Sequence, residues 1–116
     1  MEQFPQVINP VFIVKNVVLT LTKDQLKSLI YIIGVYYATT NFYSMYEKSC
    51  ACQIYQIYEK KLRNKELKIK DEFKIKLDIS QATALFTALG KLEIGKLPYE
   101  SNLIGYITRE IHQQIC

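Results

Sequence analysis

The sequence predicts an α+β fold in which a small sheet packs on helices. Segments of alternating apolar residues predict the strands, and capping-box patterns followed by a helical apolar period predict the helices. The chain of 116 residues is long enough for one domain, residues 1–116, but too short for two sound cores. Apolar residues make up 49% of the chain and charged residues 22%, so its composition is that of an ordinary globular protein.

This order of elements occurs twice along the chain. Residues 11–34 and residues 67–90 share five identities over 24 aligned positions at an offset of 56 residues. Each segment contains a strand pattern, then a capping box, then a helix pattern, and a second helix pattern follows each of them. We therefore predict a single domain with a pseudo-duplicated (β or ββ)–α–α architecture, its halves spanning about 11–64 and 67–114.

The strand patterns come from the odd-numbered positions between residues 11 and 21 and between residues 67 and 77. These positions are apolar except at Lys15 and Asp71. A period of two is typical of a strand with one buried face. The polar interruption leaves two alternatives for each segment, a hairpin that turns there or one long strand. The even positions are mostly apolar in the first segment, which predicts a strand buried on both faces because it is central, covered by helices or part of a subunit interface. In the second segment they are mostly lysine, which predicts a solvated basic face.

Each strand pattern ends at a capping box, in which a short polar side chain stands three residues before a glutamine: Thr22 with Gln25, and Asp78 with Gln81. Gly34 and Gly90 follow the helix patterns, and glycine at that place predicts that each helix ends there. The second helices are predicted at about 42–64 and 99–114.

The positive charge is concentrated in residues 59–76, which hold eight basic and four acidic residues, whereas the rest of the chain is balanced. Such a segment can attract a polyanion or an acidic partner. The structural alternative is that exposed lysines protect a sheet edge and complement the end of a helix. The residues predicted to contact an anion or a nucleic acid are Lys60, Lys61, Arg63, Lys68, Lys70, Lys74 and Lys76.

Tyrosine is abundant, and seven of the nine tyrosines lie between residues 31 and 58. Tyrosine combines a large apolar area with a polar tip, which suits protein interfaces as well as the boundary of a core. We predict a partner interface, including a homodimer contact, at Tyr43, Tyr46, Tyr55 and Tyr58.

The residues that most often carry catalysis or bind metals are few. Cys50, Cys52, His112 and Cys116 are the candidate zinc ligands, but Cys50 and Cys52 are two positions apart and point to different sides of a helix. The chain contains no phosphate-binding loop, nucleophile elbow or dinucleotide fingerprint. We therefore expect no metal, no cofactor and no enzymatic activity.

The N-terminal residues lack the pattern of a signal peptide, and an odd number of cysteines does not suggest a disulfide framework. Both features predict a cytoplasmic protein. Residues 29–46 carry no charge, but their polar residues favour a buried helix and its turn over a membrane span, so we expect no membrane partner.

These observations predict a small non-enzymatic protein-binding module of the adaptor or inhibitor type that self-associates. The repeated order of strand, capped helix and helix, with a composition rich in Lys, Tyr and Ile, resembles that of small accessory proteins of phages and mobile elements, although no motif carries this resemblance. The alternative is a nucleic-acid-binding protein that uses the lysine-rich segment 59–76.

Overall fold

A two-stranded antiparallel sheet lies against the helices of the fold. The computed structural model describes residues 16–92 and 98–115 of the chain. Strand β1 (Val17–Thr22) pairs with strand β2 (Glu72–Leu77) in a register that places Leu19 opposite Ile75. Because alternate side chains of a strand point to the same face, one face of the sheet is apolar and buried. Its side chains are Val17, Leu19, Leu21, Phe73, Ile75 and Leu77.

Four α-helices complete this part of the chain, and the predicted α+β class is confirmed. They are α1 (Lys23–Thr39), α2 (Met45–Ile57), α3 (Ile79–Lys91) and α4 (Pro98–Ile115). A π-helical turn (Tyr58–Leu62) continues α2, and a short 3₁₀ helix (Lys65–Leu67) precedes β2. Helices α1 and α4 contact β1, α3 contacts β2, and α3 also packs between α2 and α4, so the described elements share one core.

The two predicted capping boxes are confirmed. The Thr22 hydroxyl accepts a hydrogen bond from the Gln25 N–H at 3.2 Å, and the Gln25 side chain accepts one from the Thr22 N–H at 2.9 Å. Asp78 and Gln81 make the same reciprocal pair at the start of α3. Each box satisfies two backbone donors that the first turn of a helix leaves unpaired, which fixes where the strand ends and the helix begins.

The predicted helix ends at Gly34 and Gly90 are wrong. Helix α1 continues through Gly34 to Thr39, and Gly90 lies inside the last turn of α3. The apolar spacing explains the longer α1, because Tyr36 is buried one turn after Ile32 and its packing favours continued helix. The helix formed by residues 29–39 is therefore a core helix, and none of the helices in the described ranges is long and apolar enough to cross a membrane.

The second strand is shorter than either alternative that the sequence left open. Residues 67–71 are outside β2, and Leu67 and Ile69 are exposed although their alternation predicted a buried face. The reason is the missing partner strand, because the register would pair these residues with positions from Lys23 onward, which are helical. Tertiary pairing thus limits the strand to Glu72–Leu77.

Over its described part, the first strand is buried on one face only, so it is neither central nor covered by helices on both faces. Val18 and Thr22 are exposed and Thr20 is half-buried, because the buried core lies on the odd-numbered face. The earlier part of that predicted strand, with Phe12 and Val14, lies outside the described residues.

Candidate partner-binding surfaces

A third capping box fixes the start of α2. The Ser44 hydroxyl accepts a hydrogen bond from the Glu47 N–H at 3.0 Å. In return, the Glu47 carboxylate accepts bonds from the backbone N–H groups of Ser44 at 2.9 Å and Tyr43 at 3.0 Å. These backbone bonds, first from Ser44 and then from Tyr43, hold the pKa of Glu47 below its usual value. The backbone around Tyr43 is therefore held by the helix cap.

Three large side chains project into solvent from this capped turn. Tyr43 is 82% exposed, Met45 is 85% exposed and Tyr46 is 62% exposed. We call these three residues the α2 entry patch. Tyr46 also lines a groove between α2 and α3, and an ion pair of 3.8 Å between Lys91 and Glu47 joins the end of α3 to the same turn. Exposed apolar side chains that lie together are a feature of interaction surfaces.

The four predicted interface tyrosines occupy two separate surfaces. Tyr43 and Tyr46 belong to the α2 entry patch, whereas Tyr55 and Tyr58 line an apolar groove between α1 and α2. Tyr46 and Tyr55 are nine positions apart, which places them about half a turn apart around the helix. The other residues that line this second groove are Ile30, Ile33, Gly34 and Tyr37.

Two of the remaining tyrosines pack between α1 and α2. Tyr36 and Tyr37 meet edge to face with their ring centroids 5.4 Å apart, and Phe42 packs edge to face on both. The Tyr37 hydroxyl donates a hydrogen bond to the carbonyl of Ala51. Burial is the main cause that raises the pKa of Tyr37 to about 12. These tyrosines therefore hold α1 on α2, and Tyr37 also lines the second groove.

The basic segment joins the end of α2 to the outer face of the sheet. The amine of Lys61, in the π-helical turn, donates a hydrogen bond to the carbonyl of Lys76 on β2. Lys74 and Lys76 are exposed on the face of the sheet opposite the core, and Lys60 is exposed on the π-helical turn. We call Lys60, Lys61, Lys74 and Lys76 the lysine patch.

Three other residues that the sequence predicted to contact an anion do not belong to the lysine patch. Arg63 makes two hydrogen bonds to the carboxylate of Glu59, at 2.9 and 3.1 Å, which raise the pKa of the guanidinium and offset its charge. Lys68 and Lys70 are exposed in the irregular segment before β2, not on the strand where the alternation predicted them. Lys23 fixes this segment, since its amine donates to the Lys68 carbonyl at 2.7 Å.

Side chains of α4 close the outer edge of β1. The Gln114 amide donates to the Val18 carbonyl and accepts from the Val18 N–H, both at 2.8 Å. The Tyr106 hydroxyl donates to the Thr20 carbonyl at 3.0 Å. The Gln114 amide therefore pairs with the edge as a neighbouring strand would, and these bonds reduce the exposed edge that could pair with another chain.

The thiols lie apart from one another around α2. Cys50 is buried and its sulfur donates to the carbonyl of Ala84 at 3.3 Å, whereas Cys52 is exposed. His112 lines an apolar groove between α3 and α4, and Cys116 lies outside the described residues. Among the residues described, no group of three or more His, Cys, Asp or Glu side chains is arranged to hold a metal ion.

Sequence reasoning missed several of these residues. The Ser44-x-x-Glu47 pattern is a capping box and could have placed the start of α2. That assignment would have made Met45 the first residue of the helix, but its exposure has no local signal in the sequence. No local signal identifies Gln114 or Tyr106, since each meets a strand more than 80 positions earlier in the chain.

Comparison with protein-family models, with curated proteins and with solved structures finds no match for this chain.

Proposed function

We propose that this protein is a non-enzymatic protein-binding module, of the adaptor or inhibitor type, that self-associates through the α2 entry patch. The observation that carries the proposal is the exposure of Tyr43, Met45 and Tyr46 on one capped turn. Tyrosine and methionine are enriched at protein interfaces, where they supply a large contact area. Covering these three side chains would remove from water an apolar surface that the isolated chain leaves exposed.

The rigidity of the turn supports the same proposal. Binding loses less entropy when the contacting residues are already held in position. The hydrogen bonds between Ser44 and Glu47 fix the conformation of this turn, and the ion pair between Glu47 and Lys91 joins it to α3. The adjoining groove between α2 and α3 offers a concave surface beside the projecting Tyr46. A dimer with twofold symmetry would bring the same patch from both chains together.

The test is the mass of the protein in solution. Size-exclusion chromatography with light scattering should give twice the 13.6 kDa chain mass for the unaltered protein. The double variant Tyr43→Ala with Tyr46→Ala should elute as a monomer. Tyr31→Ala is the matched control, because Tyr31 is 54% exposed on α1 and lines neither tyrosine groove. A dimer that survives in the double variant, or a monomer in the unaltered protein, would contradict self-association through this patch.

Nucleic-acid binding is the second candidate function, and the lysine patch favours it. Lys60, Lys74 and Lys76 are exposed, and Lys61 extends the patch from the π-helical turn. Within residues 16–92 and 98–115, none of these four has a carboxylate within ion-pair distance. Free cations on one surface can replace the counterions of a phosphate backbone. The preference of base and phosphate recognition for arginine counts against this candidate.

Fluorescence anisotropy with labelled single-stranded and duplex DNA separates the two candidates. If the lysine patch binds nucleic acid, affinity should fall steeply with salt and disappear in Lys74→Glu with Lys76→Glu. Lys27→Glu is the control, since Lys27 is exposed on α1 and is not one of the four residues of the patch. No binding at low salt would leave protein contact as the function and the lysines as solvating and edge-protecting groups.

We also propose that the fold arose by duplication of a strand–helix–helix unit. The element order β1-α1-α2-β2-α3-α4 and the two capping boxes, 56 positions apart, support it. The sheet register supports it further, because Leu19 and Ile75 are equivalent in the repeat and lie opposite each other. A twofold axis that relates two equivalent antiparallel strands brings equivalent residues opposite each other at the centre of the pair. A crystal structure in which β1–α1–α2 fails to superpose on β2–α3–α4 would refute the duplication.

The two described thiols support a cytoplasmic location as part of the proposal. Cys50 and Cys52 are both free, and Cys52 is exposed. An exposed thiol without a partner is stable in a reducing compartment and reactive in an oxidising one. Expression in an oxidising compartment should therefore yield disulfide-linked chains that Cys52→Ser removes, and monomeric chains there would weaken this assignment.

A further inference from the structure

The two edges of the sheet are closed to different degrees. On β1, side chains of α4 bind the backbone of Val18 and Thr20, so the backbone groups of these residues point away from β2. When two residues lie opposite each other in an antiparallel pair, their backbone N–H and C=O groups either all point toward the partner strand or all point away from it. Val18 lies opposite Lys76 and Thr20 lies opposite Lys74. The outward-pointing backbone groups of β2 therefore belong to Lys76, Lys74 and, by the same alternation, Glu72.

Only one of these outward groups on β2 has a partner within the described part of the chain. The Lys76 carbonyl accepts the bond from Lys61. Neither the N–H nor the carbonyl of Lys74 and Glu72 has a hydrogen-bond partner there, and neither does the N–H of Lys76. Such a row of donors and acceptors is a template for one more strand.

The charges along this edge identify what that strand would be. Lys74 and Lys76 project from the outer face of β2, and Glu72 projects from the same face at the start of the strand. On one face of a sheet, directly opposite side chains of neighbouring strands lie within about 5.5 Å, so opposite charges attract and like charges repel. A second copy of β2 paired antiparallel about Lys74 would match Glu72 with Lys76 but would place Lys74 opposite Lys74. Acidic side chains at alternate positions would match both lysines.

We propose that the outer edge of β2, from Glu72 to Lys76, binds an extended acidic segment of a partner protein as a third strand. Acidic side chains of that segment face Lys74 and Lys76, and a neutral or basic one faces Glu72. The backbone supplies the affinity and the lysines supply the preference for an acidic partner. This site is separate from the α2 entry patch and goes beyond the proposed self-association, so either can be right without the other.

The test uses a fluorescein-labelled peptide in which Glu alternates with Val and Thr, with a scrambled peptide of the same composition as its control. Binding is followed by anisotropy to the unaltered chain and to two variants at one position. Lys74→Gln removes the charge and keeps the N–H. Lys74→Pro removes both, and proline is tolerated on an edge strand whose N–H faces outward. Lys74→Pro should bind about three- to tenfold more weakly than Lys74→Gln, as expected for one lost hydrogen bond.

Equal affinity of the two variants would overturn the proposal, since it would leave only a side-chain charge effect. Binding of the scrambled peptide as tightly as the alternating one would overturn it as well. Circular dichroism shows whether Lys74→Pro is folded. If it is not, amide hydrogen exchange of the unaltered protein carries the test.

The amides of Glu72, Lys74 and Lys76 should exchange rapidly in the free protein and become protected when the alternating peptide is added. Protection in the free protein would refute the proposal, because it would mean that the chain itself already occupies the edge. Protection by single-stranded DNA but not by the peptide would assign the edge lysines to nucleic acid instead.

Discussion

Replacing Gln114 with alanine tests how α4 secures the edge of β1. The Gln114 amide makes two hydrogen bonds of 2.8 Å to the backbone of Val18, and alanine removes both. No other described contact to the Val18 N–H or carbonyl replaces them, so two backbone groups would be left to water. The matched control is Gln113→Ala, because Gln113 is an exposed neighbour on the same helix and the substitution changes helix propensity equally.

The expected loss of stability follows from the two bonds. A typical hydrogen bond contributes about 0.5–1.5 kcal/mol net, so two contribute about 1–3 kcal/mol. Because Val18 is 36% exposed and water can reach the vacated backbone, we expect the lower part of that range, about 1–2 kcal/mol. For a chain of this size such a change lowers the melting temperature by roughly 4–8 °C.

Urea unfolding of the three proteins, followed by circular dichroism, measures this difference in free energy. Gln114→Ala should unfold at lower urea with an unchanged slope, and the Val18 amide should exchange faster in hydrogen-exchange experiments. Gln113→Ala should match the unaltered protein. If the two variants have the same stability within about 0.3 kcal/mol, or if Val18 exchange is unchanged, the closure of this edge by α4 is wrong.

Two pH-dependent predictions concern the packing of α2. The folded-state pKa of Glu47 is lowered from 4.5, so the stability that its carboxylate contributes is present above pH 4.5 and is lost as the pH falls through the folded-state pKa. The difference in unfolding free energy between the unaltered protein and Glu47→Gln should therefore shrink on acidification. A difference that stays constant would contradict the cap. The pKa of Tyr37 is raised from 10.0 to about 12, so its contribution is present below pH 10 and lost as pH rises toward 12. Tyr37→Phe removes the hydrogen bond to Ala51 at neutral pH, but between pH 10 and 12 it should lose less stability than the unaltered protein does. Urea midpoints of both proteins on either side of pH 10 measure this, and equal losses of stability at alkaline pH would contradict it.

The parts of the fold that local patterns specify were predictable from sequence. The capping boxes at Thr22 and Asp78 mark where each strand gives way to a helix, and the start of α4 at Pro98 lies within one residue of its predicted start. The apolar spacing also identified the buried residues Cys50, Ile54 and Ile57 of α2, but it placed Tyr43 and Tyr46 on the same stripe, and both are exposed. These features depend on neighbours within one or two turns, which a sequence displays directly.

The rest depends on which segments meet. The alternation at Leu67 and Ile69 has the period of a strand, but these residues have no strand to pair with once Lys23 begins a helix. The four tyrosines formed one group by their density in the sequence, yet the helical twist between Tyr46 and Tyr55 separates them into two surfaces. Such outcomes follow from tertiary packing, which overrides local propensity.

The measurement that tests self-association most directly is sedimentation equilibrium of the unaltered protein over a wide range of concentration. We expect the weight-average mass to rise with concentration from the 13.6 kDa chain toward twice that value and to level off there. A mass that stays at one chain at every concentration would contradict the proposal that the α2 entry patch of Tyr43, Met45 and Tyr46 joins two copies of this protein.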